Sequence, residues 1–279
     1  MTATTMTRPG ADAAAEARPV AVKPVTFRRV VNSEWIKFAT LRSTWITLIA
    51  SMVGTVGIGA LASWGANSRW SSMDPGELAT FSPITQSLFG VNLAQLAVGV
   101  LGVLIISGEY ATGMIRATLS AVPSRLPVLW AKLVVLSAVM FVVSLVCAFA
   151  AFFAGQSLLA SHGVGLGAPH AVRAIVGVAL YLTVIGVLAM GIGFMVRSTA
   201  GGISALFGLV LVVPGLGHAL PASWQPHILP YLPSNAGGSL FTIHPDPDSL
   251  GPWTGLAVMC LWAAAAVVGG ALLLRRRDA

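Results

Sequence analysis

Six stretches of the chain are apolar for long enough to cross about 30 Å of hydrocarbon at about 1.5 Å per residue, and this property limits the fold more than any other. They run from about Thr44 to Trp64, Ser87 to Ser107, Val128 to Leu159, Ala174 to Val196, Gly201 to Leu216 and Trp253 to Leu274. Inside a bilayer only helices and closed barrels satisfy their own backbone hydrogen bonds. A barrel would show many shorter segments of alternating polarity, which this sequence lacks. The expected fold is therefore an all-α membrane protein with six transmembrane helices in one domain over 44–279. The third stretch is long enough that it must tilt, kink or project from the bilayer. The fifth is short and interrupted by Pro214. With 56% hydrophobic and 9% charged residues, the chain has too little polar surface to coat a soluble domain of 279 residues.

The cations order these spans across the membrane. Arg8, Arg18, Lys23, Arg28, Arg29, Lys37 and Arg42 precede the first span, and Arg116, Arg125 and Lys132 flank the connection between the second and third. Arg197 separates the fourth from the fifth, and Arg275, Arg276 and Arg277 close the chain, leaving only Arg69 and Arg173 on the opposite side. The positive-inside rule then places both termini in the cytoplasm of a multi-pass protein of the cell's inner membrane. The net charge of +7 does not indicate nucleic acid, because the basic residues border apolar spans instead of forming a stripe on a polar domain. Residues 1–22 are rich in Ala, Thr and Pro without an apolar core, so they read as a disordered cytoplasmic leader and not as a signal peptide.

Two segments outside the spans stand out. Over 23–43, Phe27, Val30, Val31, Trp35, Phe38 and Leu41 recur at spacings of three and four, with Arg28, Arg29, Asn32, Lys37 and Arg42 between them. This pattern predicts an amphipathic helix lying in the interface, with Trp and Phe toward the apolar phase and cations toward anionic lipid. It serves equally as a plain juxtamembrane anchor or as a docking surface. Between the second and third spans, Gly108 to Arg125 is too polar to cross and too apolar for a plain loop. Met114, Ile115, Leu119 and Val122 predict one face of a short helix, which Pro123 and Pro127 terminate. Glu109, at the mouth of the second span, is either a solvated helix-end charge or part of a contact network. Arg116 and Arg125 either satisfy lipid phosphates or pair with acidic groups of a partner.

Other features are less informative. Gly54, Gly57 and Gly59, Gly99 and Gly102, and Gly186, Gly191 and Gly193 allow close helix approach, whether for ordinary bundle packing or for a dimer face. His162, His170, His218, His227 and His244 all fall in connections assigned to the outside, and no two have ligand spacing on a predicted helix. Cys147 and Cys260 lie in spans and read as small hydrophobes. No Gly-x-x-x-x-Gly-Lys-Ser/Thr loop occurs, so ATP-driven work by this protein needs a separate subunit.

The run Glu109-Tyr110, Gly113-Met114-Ile115-Arg116, Thr118-Leu119, Val122-Pro123-Ser124-Arg125 and Lys132 resembles the first cytoplasmic loop of ABC transporter permeases of type 2. Ser33 to Lys37 with Leu41 to Trp45 is similar to the approach to the first span in bacterial, notably actinobacterial, members, and Leu232-Pro233-Ser234-Asn235 to part of their last outer loop. The likeness covers nearly all the chain after the leader and lies in order, spacing and topology together. It implies a coupling helix formed around Glu109, Tyr110, Gly113, Met114, Ile115, Arg116, Thr118 and Leu119 that fits a groove on an ATP-binding subunit. Phe27, Arg28, Arg29, Trp35, Lys37, Phe38 and Arg42 would form the interfacial anchor. It further implies two ATP-binding subunits carrying ATP and magnesium, a second permease unit as homodimer or heterodimer, and contact with membrane lipid. This chain itself would hold no catalytic, cofactor or metal residues. The middles of the six spans carry no acidic or basic residue, which favours export of an amphipathic or apolar compound over an ion. The competing expectations are a scaffold or sensor coupled to an ATPase, and an intramembrane enzyme, for which no convergent polar pair is found.

Overall fold

The computed structural model describes residues 25–276, and every regular element among them is helical. The proposed leader and Arg277 lie outside the described residues. Six helices are long and apolar enough to cross a membrane: Arg42–Arg69, Val91–Ala111, Leu126–Leu159, Ala171–Val196, a helix over Thr199–Gly217 and Pro252–Arg276. The protein is a multi-pass membrane protein.

The spans differ from their expected limits at specific residues. The first continues to Arg69 because its polar last turns supply their own acceptors and donors, with Ser68 Oγ donating to the Trp64 carbonyl and Arg69 Nε to that of Gly65. Its far end is also tied to the next segment, where Gln86 Nε2 donates to the Ala62 carbonyl (2.8 Å). The second starts at Val91 and not Ser87, because Pro83–Ser87 forms a separate short helix capped by Ser82. The third is one 34-residue helix from Leu126, as long as the sequence indicates. In the fifth, Pro214 lacks a backbone N–H and its ring conflicts with the carbonyl four residues back, and the helix passes through a π-turn over Gly208–Val212 immediately before it.

The fourth span is the axis of the bundle and packs against the second, third and sixth. Of its most apolar window 72% is buried, against 28% for the first, fifth and sixth spans, which turn much of their apolar surface outward. Two glycines set close approaches of neighbouring helices to the fourth. A Cβ on Gly102 would stand 2.5 Å from the Gly186 carbonyl oxygen, and one on Gly191 would stand 2.7 Å from the backbone of Ala266. Small residues here let the second and sixth helices approach the fourth, where packing and not water exclusion drives association. Gly54 and Gly57 face open space or a single leucine and set no such contact.

Helix ends are closed by arginines. Arg125 Nη1 donates to the Leu274 carbonyl (3.1 Å) and Arg197 Nη2 to that of Leu273 (3.2 Å), so two cations meet the C-terminal end of the sixth span, where the helix dipole is negative. At the opposite end of the bundle, Arg173 donates to the carbonyls of Ser239, Leu240 and Thr242. The long connection before the sixth span contains short helices at Gln225–Ile228, Leu229–Tyr231 and Pro233–Gly238, the last packed on the sixth span.

Candidate functional site

The helix Phe27–Thr40 precedes the first span, separated from it by a single extended residue, Leu41. Trp45 Nε1 donates to the Ala39 carbonyl (2.8 Å) and fastens this corner. Phe27, Arg28, Arg29, Trp35 and Arg42 are exposed. Val30, Glu34 and Phe38, spaced four apart, are buried where the helix packs on the third span. Phe38 thus faces the protein and not lipid. Lys37 also departs from the surface pattern, because the carboxylate of Glu34 on the packed face needs a cation within reach.

That cation set forms the most unusual feature of the molecule. Lys37 Nζ donates to Glu34 Oε1 (2.8 Å), to Glu109 Oε1 (3.1 Å) and to Thr118 Oγ1 (3.1 Å). Lys132 Nζ donates to Glu34 Oε2 (2.5 Å) and to Glu109 Oε1 (2.7 Å). The side chains of Lys132, Glu34 and Glu109 are 2%, 4% and 9% exposed, and that of Lys37 25%. Two carboxylates and two ammonium groups leave the cluster electrically neutral, which is the condition for charges to persist at such burial. Burial pushes the Lys37 ammonium down, but the hydrogen bonds and charges of Glu34 and Glu109 outweigh it and hold its pKa above the ordinary 10.5. The four charges join the helix Phe27–Thr40, the last turn of the second span and the second turn of the third, and Lys37 extends the junction to Thr118.

Thr118 belongs to the short helix Met114–Ala121, which follows the second span across a tight turn at Gly113. Gly113 has φ +72°, in the left-handed region that L side chains occupy only at a cost, and the backbone reverses there between the two helices. Ile115 and Leu119 are buried, Thr118 is half-buried beside Lys37, and Met114, Arg116, Ala117 and Ser120 are exposed. Val122 is buried with Ile115 and Leu119. The inner face of this helix therefore binds the bundle while its outer face is free among the described residues. Tyr110 points the other way, with the Arg197 guanidinium 5.0 Å over its ring, so it belongs to the arginine-capped region by the fifth span and not to the ionic cluster.

The structure thus brings together Lys37, Glu109 and Thr118 from two segments that the sequence marked separately, and adds Glu34 and Lys132, which the sequence named only among flanking charges and resemblance motifs and gave no contact. Lys132 had one signal, an ammonium inside a 34-residue apolar helix, where an ionisable group implies a partner. Glu34 had another, its spacing of three from Lys37 on a helix. Among the described residues no group of three or more His, Cys, Asp or Glu is placed to share a metal ion. His162 lies stacked on Trp70, with ring centroids 3.7 Å apart. Compared with known proteins, the chain matches no family model and no curated protein.

Proposed function

We propose that this chain is the membrane-spanning subunit of an ATP-driven exporter in the cell's cytoplasmic membrane, with both termini and the helix Met114–Ala121 on the cytoplasmic side. The observation that carries this reading is the buried cluster of Glu34, Lys37, Glu109 and Lys132, which ties that helix, through Thr118, to the helix before the first span and to the second and third spans. A force applied to the exposed face of Met114, Arg116, Ala117 and Ser120 passes into two spans at once, because Gly113 and the buried Ile115 and Leu119 hold the helix against their ends. Interfaces of this kind move between discrete packings and do not deform gradually, so binding of a partner to one face selects one arrangement of the bundle.

The positive-inside distribution supports the orientation, and the resemblance of Glu109 to Arg125 to the coupling loop of type 2 ABC permeases supports the nature of the partner. ATP and magnesium belong to two separate ATP-binding subunits, and a second six-span unit completes the transport path. The cargo is an amphipathic or apolar compound, since the ionisable groups of the spans are gathered at their ends. The test is isolation of the tagged full chain from native membranes in mild detergent. The expected result is an ATP-binding protein in the eluate with magnesium-dependent ATP hydrolysis, and its absence overturns the proposal.

A further inference from the structure

At the other end of the first span from the ionic cluster lies a cavity of about 310 Å³, at the lower end of the range of small-ligand sites. Two connections meet to form it. Arg69 closes the first span and Glu77 follows in the helix Pro75–Thr80, Ser82 and Gln86 belong to the cap and body of Pro83–Ser87, and Thr242 and His244 come from the connection before the sixth span. Each wall is fastened on its own. Asp74 Oδ1 accepts from the Glu77 N–H (2.8 Å) and caps Pro75–Thr80, which sets Glu77 in the first turn. Gln86 ties Pro83–Ser87 to the first span through the Ala62 carbonyl, and Arg173 Nη2 donates to the Thr242 carbonyl (3.3 Å). Phe81, also in the wall, meets the Trp70 ring edge-on with centroids 5.2 Å apart. A site built in advance in this way loses little freedom when it is filled.

Opposite charges face this space without meeting. Arg69 and Glu77 are both exposed and both line the cavity, yet neither a hydrogen bond nor an ion pair joins them. Among the described residues the Arg69 guanidinium commits only Nε, which donates to the Gly65 carbonyl (3.4 Å), and the Glu77 carboxylate accepts from no donor. Water solvates both groups in the open cavity. A molecule that fills the cavity removes that water, and each charge then needs a partner. An anion satisfies Arg69 and strands Glu77, and a cation does the reverse. A molecule carrying a carboxylate and an ammonium compensates both and leaves the net charge of the site unchanged. Its carboxylate also matches the paired N–H donors of a guanidinium. The rest of the lining mixes Ser82, Gln86 and Thr242 with Phe81, and so lacks the continuous apolar wall that an acyl chain needs.

We infer that this cavity binds a small zwitterion of the amino-carboxylic class, an amino acid or a short peptide, with its carboxylate on Arg69 and its ammonium on Glu77. The site draws on no ATP-binding subunit, so it stands or falls separately from the proposed export function.

The test is ligand-observed NMR titration of the full chain in detergent at neutral pH, with glycine and glycylglycine as probes. Each is offered beside its N-acetyl form, which keeps only the negative charge, and its C-terminal amide, which keeps only the positive one. At least one of the two zwitterions is expected to bind about fivefold or more tighter than both of its single-charge forms, as the loss of one ion pair at an accessible site implies. A preference for glycine assigns the site to amino acids, and a preference for glycylglycine to short peptides. Arg69→Gln is expected to abolish the advantage of the zwitterion over its amide, and Glu77→Gln its advantage over the N-acetyl form. Both side chains are exposed, so neither substitution disturbs the packed bundle. A wild-type chain that binds neither zwitterion, or that binds a single-charge form as tightly as the zwitterion, overturns the inference. So do preferences left unchanged in both variants.

Discussion

Replacing Lys132 by Met tests whether the four charges form one neutral unit. The substitution keeps the apolar stem in place but removes the donor to Glu34 Oε2 at 2.5 Å and to Glu109 Oε1 at 2.7 Å. Two carboxylates, 4% and 9% exposed, then share only Lys37. Breaking a buried pair from one side costs about 3–5 kcal/mol, because a charge is left without compensation. At about 1.4 kcal/mol per decade this is roughly two to three and a half decades in the folding equilibrium. Neutrality returns in Lys132→Met with Glu34→Gln, where the remaining pair is Lys37 with Glu109, joined at 3.1 Å. The double variant should therefore be less damaged than the sum of its two single variants by about 0.5–3 kcal/mol. Reversible unfolding of the four proteins in mixed detergent gives these differences. A Lys132→Met protein as stable as the wild type, or strictly additive single variants, would refute the idea of a coupled cluster.

Three further outcomes follow from the same geometry. Gly113→Ala should destabilise the protein by about 1–2 kcal/mol, because alanine must adopt φ +72° at the reversal between the second span and the short helix; the same unfolding assay reads it. Gly102→Ala should cost about 1–3 kcal/mol, since a Cβ 2.5 Å from the Gly186 oxygen forces two backbones apart, whereas Gly57→Ala, with nothing within 4 Å, should be close to neutral. The raised pKa of Lys37 makes its contribution to stability complete below the unfolded value of 10.5 and lost as pH rises through the higher folded value. Thermal melts between pH 9 and pH 12 should show this loss in the wild type and a smaller one in Lys37→Arg, whose guanidinium stays charged over about that range.

The spans and the helical class are legible because a bilayer permits few solutions to an apolar run, and the third span from Leu126 to Leu159 shows how directly length reads through. Local capping is less so. Ser82 and Pro83 start a separate helix that moves the second span to Val91, a competition between a side-chain cap and apolar continuity. The site is divided in the same way. Ile115, Leu119 and Val122 are buried and Arg116 exposed, as the spacing of the short helix indicates. Met114, expected on the apolar face, is exposed, because a helix of eight residues has room for one narrow buried stripe. The pairing of Glu34 with Lys132 is not legible because they are 98 residues apart, and only the packing of the N-terminal helix on the third span makes them neighbours. A charge within an amphipathic helix and one near the end of a span each have an ordinary explanation when read alone.

On the proposed function, the outer face of Met114–Ala121 meets an ATP-binding subunit in the cytoplasm. Replacing Arg116, which is exposed on that face, by a photo-crosslinking benzophenone residue in intact cells tests it directly. The expected result is a crosslinked product with a subunit that binds ATP, lost when the benzophenone is moved to buried Leu119. Crosslinks confined to lipid, or labelling of position 116 by a reagent that cannot enter the cell, would contradict it.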